Sequence, residues 1–446
     1  MKKVLKKIGK FFAVFFGCIF GFLALCVVVT LCWGGVQMSK GSVTDALPEV
    51  PADFVPEIRF AVFTDSHNRN DRVGEAIDEM YRQFDNDETY KGIDAVFGLG
   101  DFSSIGEEKD YEAFVQALDE HIREGTKIVN ILGNHEMKNK NATEYFKKYF
   151  GYDPNTVTEI NGFTFIGFSG SPHITEWTFS VKDLKWAAAQ LKAAEKTAGD
   201  KPIFVMQHPH NFGTVYGSAV WCSPQLNPVL AGHNKVVDFS GHSHFPMNDP
   251  RSINQTTYTS VGVGAMARFE LDKNYIVGQH PDGYDTAEQL CIVEANSSGS
   301  VRIRGFDVAS KTFFCDWFIE NVNDAGTYAY TYKNVKAHDS VPVFSENTAA
   351  QAQKNENGEW VLSFDEAEDN YIVHHYNITI KDASGKKVFG DTFIDDYFVI
   401  DGDSTADFRI PGETLTAGKE YTAEIVAVSA YHLKSETVKL RFTPEE

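Results

Sequence analysis

"KVVDFSGHSHFP", residues 235–246, joins an apolar run directly to two histidines that follow a glycine. Residues at i and i+2 of an extended segment point to the same face, so His242 and His244 can reach into one site together. The pair fits metal binding, but taken alone it also fits an ordinary polar loop. The ends of the other predicted strands separate these two interpretations.

The body of the chain repeats this arrangement. From Glu57 onward, short β-rich runs alternate with helical stretches such as residues 181–197, where Ser180 is the predicted N-cap. This alternation is typical of βαβ units around a largely parallel sheet, and it predicts an α/β fold. Because ligands bind outside the carboxyl ends of strands in such sheets, we expect the residues at these ends to converge. Five apolar strands end in residues that can bind a metal: Asp65-Ser66-His67, Gly100-Asp101, Gly133-Asn134-His135-Glu136, His208-Pro209 and Gly241-His242-Ser243-His244.

The candidate ligands from these strand ends are two carboxylates, one amide and four imidazoles. They are Asp65, His67, Asp101, Asn134, His208, His242 and His244. A set without thiolates suits Fe, Mn, Zn or Co better than copper or an iron–sulfur cluster. Seven ligands are too many for one tetrahedral ion, and they favour two ions that share a bridging carboxylate. Such a pair lowers the pKa of a bridging water and holds a phosphoryl group during its displacement.

These five blocks, in this order, resemble the calcineurin-like metallophosphoesterases over about residues 57–320. The resemblance implies a four-layer αββα sandwich and two divalent or trivalent transition-metal ions (Mn, Fe or Zn). It implies that Asp101 bridges the ions and that His135 is the catalytic residue, which stabilises the phosphate or protonates the leaving alkoxide. One ion would be held by Asp65, His67, Asp101 and His244, and the other by Asp101, Asn134, His208 and His242.

The implied activity is hydrolysis of phosphomonoester or phosphodiester bonds in a small substrate, by attack of a metal-bound hydroxide. The stretch "GDFSSIGEE", residues 100–108, lacks the arginine of the protein Ser/Thr phosphatase signature, so the pattern is closer to small-molecule phosphodiesterases. No phosphate-clamping arginine can be assigned. The alternative is an inactive cell-surface binding protein on the same scaffold. Such a protein should have lost ligands, and none of the seven is missing.

Three further residues keep two interpretations, and a fourth has one. His210 either faces the site or is a loop histidine, and Glu136 either hydrogen-bonds a ligand or is solvated at the surface. His173 either touches substrate or lies in an ordinary loop. His121 falls within a helical pattern and is predicted to be structural.

The N-terminus predicts a membrane anchor. Residues 1–10 carry five lysines, and residues 11–33 carry no charge over about the length that a helix needs to cross a bilayer. That span exceeds the roughly 7–15 apolar residues of a signal peptide, so we expect an uncleaved signal-anchor helix. By the positive-inside rule, residues 1–10 stay in the cytoplasm and the catalytic domain lies outside the cell membrane. Residues 34–56, with three prolines, are predicted to be a linker.

The C-terminal region, residues 336–446 after a second predicted linker at 321–335, shows short alternating runs separated by turns. This pattern predicts an all-β sandwich. The stretch "LTAGKEYTAEIVAVSAYHLKSE", residues 415–436, resembles a fibronectin type III domain, which implies a tyrosine corner of Leu415 and Tyr421 and a core Trp360. The resemblance implies spacing or contact with cell-surface components, while a structural module without a ligand stays open.

Charge and cysteine content limit the partners further. The chain has 446 residues and a net charge of −21, and beyond the first 40 residues it carries 35 basic and 62 acidic side chains. A surface this acidic repels polyanions, so we expect no nucleic-acid partner. Cys222, Cys291 and Cys315 are widely spaced, and either one disulfide among them or buried thiols fit.

Overall fold

The computed structural model describes residues 41–170, 178–274, 276–400, 402 and 404–445. The predicted anchor at residues 11–33, the segment before it and His173 lie outside the described residues. Within the part of the chain that is described, no helix combines the length and the apolar character needed to cross a bilayer.

The first part of the described chain alternates strands and helices, as its sequence predicts. Its strands are β1 Ile58–Phe63, β2 Ala95–Gly98, β3 Lys127–Asn130, β4 Thr156–Ile160, β5 Phe163–Phe168, β6 Ile203–Gln207, β7 His210–Asn211, β8 Cys222–Ser223, β9 Val236–Ser240, β10 Ile253–Gln255, β11 Thr259–Gly262, β12 Leu271–Lys273, β13 Ile276–Gln279, β14 Gln289–Ala295, β15 Val301–Asp307 and β16 Thr312–Ile319. The helices are α1 Asn70–Phe84, α2 Glu108–His121, α3 Asn134–Met137, α4 Ala142–Phe150, α5 Val181–Thr197, α6 Asn227–Leu230 and α7 Tyr332–Ala337.

Two six-stranded sheets are built from these strands, in the orders β16-β15-β14-β1-β2-β3 and β10-β11-β9-β6-β5-β4. In the first sheet β1, β2 and β3 run parallel. In the second sheet β5, β6, β9 and β11 also run parallel. The carboxyl ends of each parallel set therefore lie at one edge of its sheet.

The two sheets face each other across an aromatic core. Phe60 of β1 meets Phe165 of β5 and Phe204 of β6 edge-on, with ring centroids 5.1 and 4.8 Å apart. All three rings are buried in one cluster together with residues of β2 and β9. Strands buried on both faces need apolar side chains at successive positions, which explains why these strands appear in the sequence as unbroken apolar runs.

Helices cover the outer face of each sheet. Ala61 and Val96 of the first sheet pack with residues of α1, α2 and α4, and Ile166 and Val205 of the second pack with residues of α5 and α6. The order of layers is thus helix, sheet, sheet, helix, and the predicted α/β class is confirmed. Helix α5 has the predicted bounds, and the Ser180 hydroxyl accepts a hydrogen bond from the Asp183 amide at 3.0 Å, as an N-cap does.

The C-terminal strands form a separate pair of sheets, which confirms the predicted β unit. The strands are β17 Ala350–Lys354, β18 Trp360–Asp365, β19 Val373–Asp382, β20 Lys387–Ile394, β21 Thr405–Ile410, β22 Tyr421–Ser429 and β23 Val438–Phe442. Sheet β17-β18-β21 packs on sheet β20-β19-β22-β23, and Trp360 lies in the core between them. The Tyr421 hydroxyl accepts a hydrogen bond from the Thr416 amide at 3.0 Å, beside the buried Leu415.

The segments predicted as linkers have many contacts. Val322 and Tyr330, within residues 321–335, are buried in the same core as the two large sheets, and Tyr431 of the C-terminal region joins them there. The Thr44 amide donates to Asn334 Oδ1 at 2.8 Å. The C-terminal sandwich therefore packs directly on the α/β part.

The thiols of Cys222, Cys291 and Cys315 are free, so none of the described cysteines forms the disulfide that the sequence left open.

Candidate metal centre

The strand ends converge as the topology requires. Asp65 follows β1, Asp101 follows β2, Asn134 begins α3 after β3, and His208 follows β6. The fifth set, His242 and His244, follows β9. All seven predicted ligands are buried.

The ligating atoms form overlapping groups in which they lie within 4.8 Å of one another. One group is Asp65, His67 and His244, and a second is Asp101, His208 and His242. Asn134 joins the second group, because its Oδ1 lies 3.0 Å from His208 Nε2. The structure therefore brings all seven predicted residues together. It also places His135 within the same reach of His67 and Asp101, which makes the predicted non-ligand role of His135 a matter for experiment.

The two oxygens of the Asp65 carboxylate have different surroundings. Its Oδ2 accepts hydrogen bonds from the Thr64 hydroxyl and the His242 amide, both at 2.8 Å. Its buried Oδ1 receives no well-aligned hydrogen bond and faces Nε2 of His244, His67 and His208 at 3.3, 3.9 and 4.0 Å. A buried carboxylate oxygen surrounded by imidazole nitrogens rather than donors fits a metal ligand.

Asp101 is arranged in the same way. Its Oδ1 accepts the His135 amide at 2.8 Å. Its Oδ2 lies 3.2 Å from His208 Nε2 and 3.9 Å from Nε2 of both His67 and His135. One oxygen thus holds the backbone in place, while the other faces the converging rings.

Backbone carbonyls orient several of the rings. His208 Nδ1 lies 2.8 Å from the Leu99 carbonyl, and His244 Nδ1 lies 3.0 Å from the Arg268 carbonyl. A carbonyl can only accept, so each Nδ1 carries a hydrogen, and Nε2 is the nitrogen that faces the site. This outer hydrogen bond is typical of metal-ligating histidines.

The electrostatics of the site favour bound positive charge. Burial disfavours the charged form of His208, but the Asp101 carboxylate outweighs it and raises the pKa of His208 to about 9. Burial also opposes ionisation of Asp65, yet His244 and His208 hold the pKa of its carboxyl well below the usual range. Burial and His244 lower the pKa of His67 to about 3, which keeps that ring neutral and able to ligate. Two ionised carboxylates therefore draw positive charge into a buried space, where it is carried by protonated His208 or by a bound cation.

Five of the site residues have a left-handed backbone, which side chains other than glycine adopt rarely. The φ angles are 56° for Asp65, 43° for His67, 51° for Asp101, 72° for His242 and 57° for His244. Each such residue costs on the order of 1–3 kcal/mol, and such strain clusters at functional sites. The sequence therefore tolerates local strain in order to aim these side chains.

Three glycines next to the ligands serve two different purposes. The sequence predicts tight turns at all three, but only Gly100 has a positive φ, of 90°. Gly133 and Gly241 are needed for close approach instead. A Cβ on Gly133 would lie 2.1 Å from Asp101 Oδ1, and one on Gly241 would lie 2.2 Å from the Thr64 hydroxyl.

Glu136 is buried, so the interpretation that it is solvated at the surface is wrong. Its Oε2 accepts the amides of Asp101 and Gly133 at 2.9 and 2.8 Å, and its Oε1 accepts the Ser103 amide at 2.8 Å. Burial and the Asp101 carboxylate raise the pKa of Glu136 to about 8. Glu136 therefore holds together the two loops that carry Asp101 and Asn134.

His210 and His121 lie outside the ligand groups. His210 is buried, and both of its ring nitrogens lie 2.7 Å from hydroxyls, those of Ser240 and Ser243. It therefore positions the loop of His242 rather than facing the ligands. His121 pairs with Asp78 at 3.1 Å between two helices, which agrees with its predicted structural role.

The sequence did not point to two side chains near the site. Lys138 Nζ donates to His135 Nε2 at 3.2 Å, and the Trp221 ring meets the His242 ring edge-on at 5.6 Å. An exposed lysine near His135 looks like any solvated lysine, and only its position three residues after His135 could have indicated it. Trp221 lies in a loop with no periodic signal.

No protein-family model and no curated protein sequence matches the chain. Solved structures similar to it include a purple acid phosphatase from yellow lupin (Lupinus luteus) seeds, at 12% identity and a TM-score of 0.40, over 59% of this chain and 53% of that chain. This chain thus matches about half the length of that phosphatase. A Fn3-like protein from Clostridium thermocellum matches at 12% identity and a TM-score of 0.16, over 24% of this chain and 95% of that one. A cold-active protein-tyrosine phosphatase of a psychrophilic Shewanella matches at 12% identity and a TM-score of 0.26, over 63% of this chain and 87% of that chain. At these scores the similarities carry no argument about function.

Proposed function

We propose that this protein hydrolyses phosphoesters at a centre of two transition-metal ions. One observation carries the proposal: Asp101 Oδ2 faces two sets of rings, with His208 Nε2 at 3.2 Å and His67 Nε2 at 3.9 Å. A carboxylate shared in this way is what a bridge between two ions requires.

Each ion has a set of residues to hold it. Asp65, His67, Asp101 and His244 would hold one, and Asp101, Asn134, His208 and His242 would hold the other. When bound, the pair would supply an activated water and positive charge for a phosphoryl group. The mixed oxygen and nitrogen donors suit Mn, Fe or Zn.

His135 is proposed to act on the substrate rather than on the ions. Its Nδ1 lies 2.6 Å from the Ser104 carbonyl, so Nδ1 carries a hydrogen and Nε2 is the atom that can exchange a proton. The side chain is 24% exposed, so a substrate can reach it. Lys138 adds a positive charge beside His135 Nε2. This charge would attract the phosphate, for which no arginine can be assigned from the sequence.

Metal content tests the two-ion proposal. Full-length protein stripped with a chelator and reconstituted with excess Mn, Fe or Zn should contain about two ions per chain by elemental analysis. His208→Ala and His244→Ala should each lower that content. His233→Ala is the matched control, because His233 pairs with Glu195 at 2.6 Å away from the ligand groups. A ceiling of one ion in the unmutated protein would contradict the binuclear centre.

We further propose that the protein is anchored in the cell membrane, with the catalytic part outside and the C-terminal sandwich available to cell-surface components. The support is the order of five lysines and an uncharged 23-residue span at the N-terminus. Protease added to intact cells should digest the chain beyond residue 41. A chain that stays protected while a known exported protein is digested would show that the orientation is wrong.

A further inference from the structure

The C-terminal sandwich contains a second group of potential ligating atoms, outside the candidate metal centre. One carboxylate oxygen from each of Glu366, Asp395 and Asp396 lies within 4.8 Å of the others. We name this group the sandwich carboxylate cluster.

The sandwich carboxylate cluster connects the two sheets of the sandwich. Glu366 directly follows β18 of the three-stranded sheet, whereas Asp395 and Asp396 directly follow β20 of the four-stranded sheet. Backbone hydrogen bonds fix both positions: the Glu366 amide donates to the Ser404 carbonyl at 2.9 Å, and the Asp395 amide donates to the His374 carbonyl at 3.2 Å. The three side chains therefore meet because of the fold and not through chance surface crowding.

Asp395 separates this cluster from an ordinary acidic surface patch. Asp395 is only 4% exposed, and its Oδ1 receives no hydrogen bond. Burial, followed by the charges of Glu366 and Asp396, raises the pKa of the Asp395 carboxyl well above its usual range. The Asp396 amide hydrogen-bonds the carboxyl group but leaves Oδ1 unsatisfied. A buried carboxylate oxygen without a donor is costly, because transfer out of water removes its hydration.

We propose that the sandwich carboxylate cluster binds a calcium ion. The donors are carboxylate oxygens alone, which select a hard cation rather than a transition metal. Calcium–oxygen distances of about 2.3–2.6 Å allow two ligands of one ion to lie up to roughly 5 Å apart. The three carboxylate oxygens, all within 4.8 Å of one another, are close enough to share one ion. Water completes the coordination, since Asp396 is exposed.

The ion would join the two sheets beside the contact with the α/β part. His374, whose carbonyl holds Asp395, lies on β19, and its Nε2 is 2.6 Å from the Tyr216 hydroxyl of the α/β part. Calcium bound here should therefore stabilise the sandwich. The competing interpretation is a proton on Asp395, which neutralises the buried carboxyl and leaves no place for an ion.

Calcium-dependent melting of the full chain distinguishes a bound calcium ion from a proton on Asp395. The protein is first loaded with its transition metal, so that calcium added afterwards does not enter the candidate metal centre. With three carboxylates, we expect a dissociation constant in the range of about 10⁻⁴–10⁻³ M that is typical of extracellular modules. Calcium at about 10 mM should then raise Tm by roughly 2–4 °C, while magnesium should not.

Variants locate the effect. Asp395→Asn and Glu366→Gln should abolish the calcium shift, whereas Glu413→Gln, at an exposed acid of the same sandwich, should keep it. Without calcium, Asp395→Asn should melt no lower than the unmutated protein, because it removes a buried charge. If that variant does not fold, calorimetric titration of Asp396→Asn with calcium replaces it and should show no binding. The proposal is overturned if the unmutated protein shows no shift at about 10 mM calcium, if magnesium gives the same shift, or if the cluster variants respond like Glu413→Gln.

Discussion

Asp101→Asn should lose bound metal and turnover together. The substitution keeps the size of the side chain, and the amide oxygen can still accept the His135 amide that Asp101 Oδ1 accepts at 2.8 Å. It removes the negative charge that faces His208 and His67. Loss of an outer hydrogen-bond partner already costs about 10–100-fold in metal affinity, so loss of the bridging anion should cost at least about 100-fold. Turnover should fall at least as far, because both ions depend on this residue.

The measurement pairs elemental analysis after dialysis with kcat on a phosphoester, at low and at saturating metal. Asp238→Asn is the matched control. Asp238 is also a buried aspartate, in the middle of β9, but Gln207 and Asn211 donate to it at 2.8 and 2.9 Å and it lies outside the ligand groups. The control should keep both ions. Two ions and unchanged kcat in Asp101→Asn would show that Asp101 does not bridge.

The convergence of the ligands could be predicted because it follows from two strong signals. Strands buried on both faces appear as apolar runs, and the residues after parallel strands meet at one edge of a sheet. Both signals are local in the sequence, so the ends of β1, β2, β3, β6 and β9 could be read without knowing the order of the strands. The C-terminal sandwich was predictable for a similar reason, since its alternating runs show which side chains face the core.

What holds the ligands in place could not be predicted, because backbone atoms do much of it. The carbonyls of Leu99, Ser104 and Arg268 fix the ring nitrogens of three histidines, and a carbonyl is present in every residue. The burial of Glu136 was equally hidden, since its partners are amides of Asp101, Ser103 and Gly133. Sequence patterns describe side chains, and these contacts depend on how loops from different strands fold over one another.

The packing of residues 321–335 was missed for a different reason. Val322, Ala329 and Tyr330 are buried between the α/β part and the sandwich, but residues 323–327 between them, NDAGT, have the composition of a turn. A segment with such a stretch is read as a linker, although it can fill a gap between two preformed surfaces.

His135→Ala should keep both metals and lose about 10²–10⁴ in turnover, the usual contribution of general acid–base catalysis. The Ser104 carbonyl holds His135 Nδ1, so Nε2 is the nitrogen that can exchange a proton with the leaving oxygen. Alanine removes that proton donor and leaves the His135 amide free to donate to Asp101 as before. The metal result is a genuine test, since His135 Nε2 lies 3.9 Å from Asp101 Oδ2, as near as His67 Nε2 does. Loss of metal in His135→Ala, with metal kept in a His121→Ala control, would make His135 a ligand.

The leaving group decides what His135 does if the metals stay. A nitrophenolate leaves as a stable anion and needs little protonation, whereas an alkoxide needs a proton as the bond to phosphorus breaks. Removal of a general acid therefore lowers turnover far more for an alkyl phosphoester than for a nitrophenyl phosphoester. We expect the loss of turnover in His135→Ala to be smaller with the nitrophenyl substrate. Both substrates develop similar charge on the phosphoryl oxygens. Removal of a group that only stabilises that charge would therefore lower turnover equally for both substrates. An equal loss would move His135 from protonation of the leaving oxygen to stabilisation of the phosphate, a role in which the neighbouring Lys138 charge would add to it.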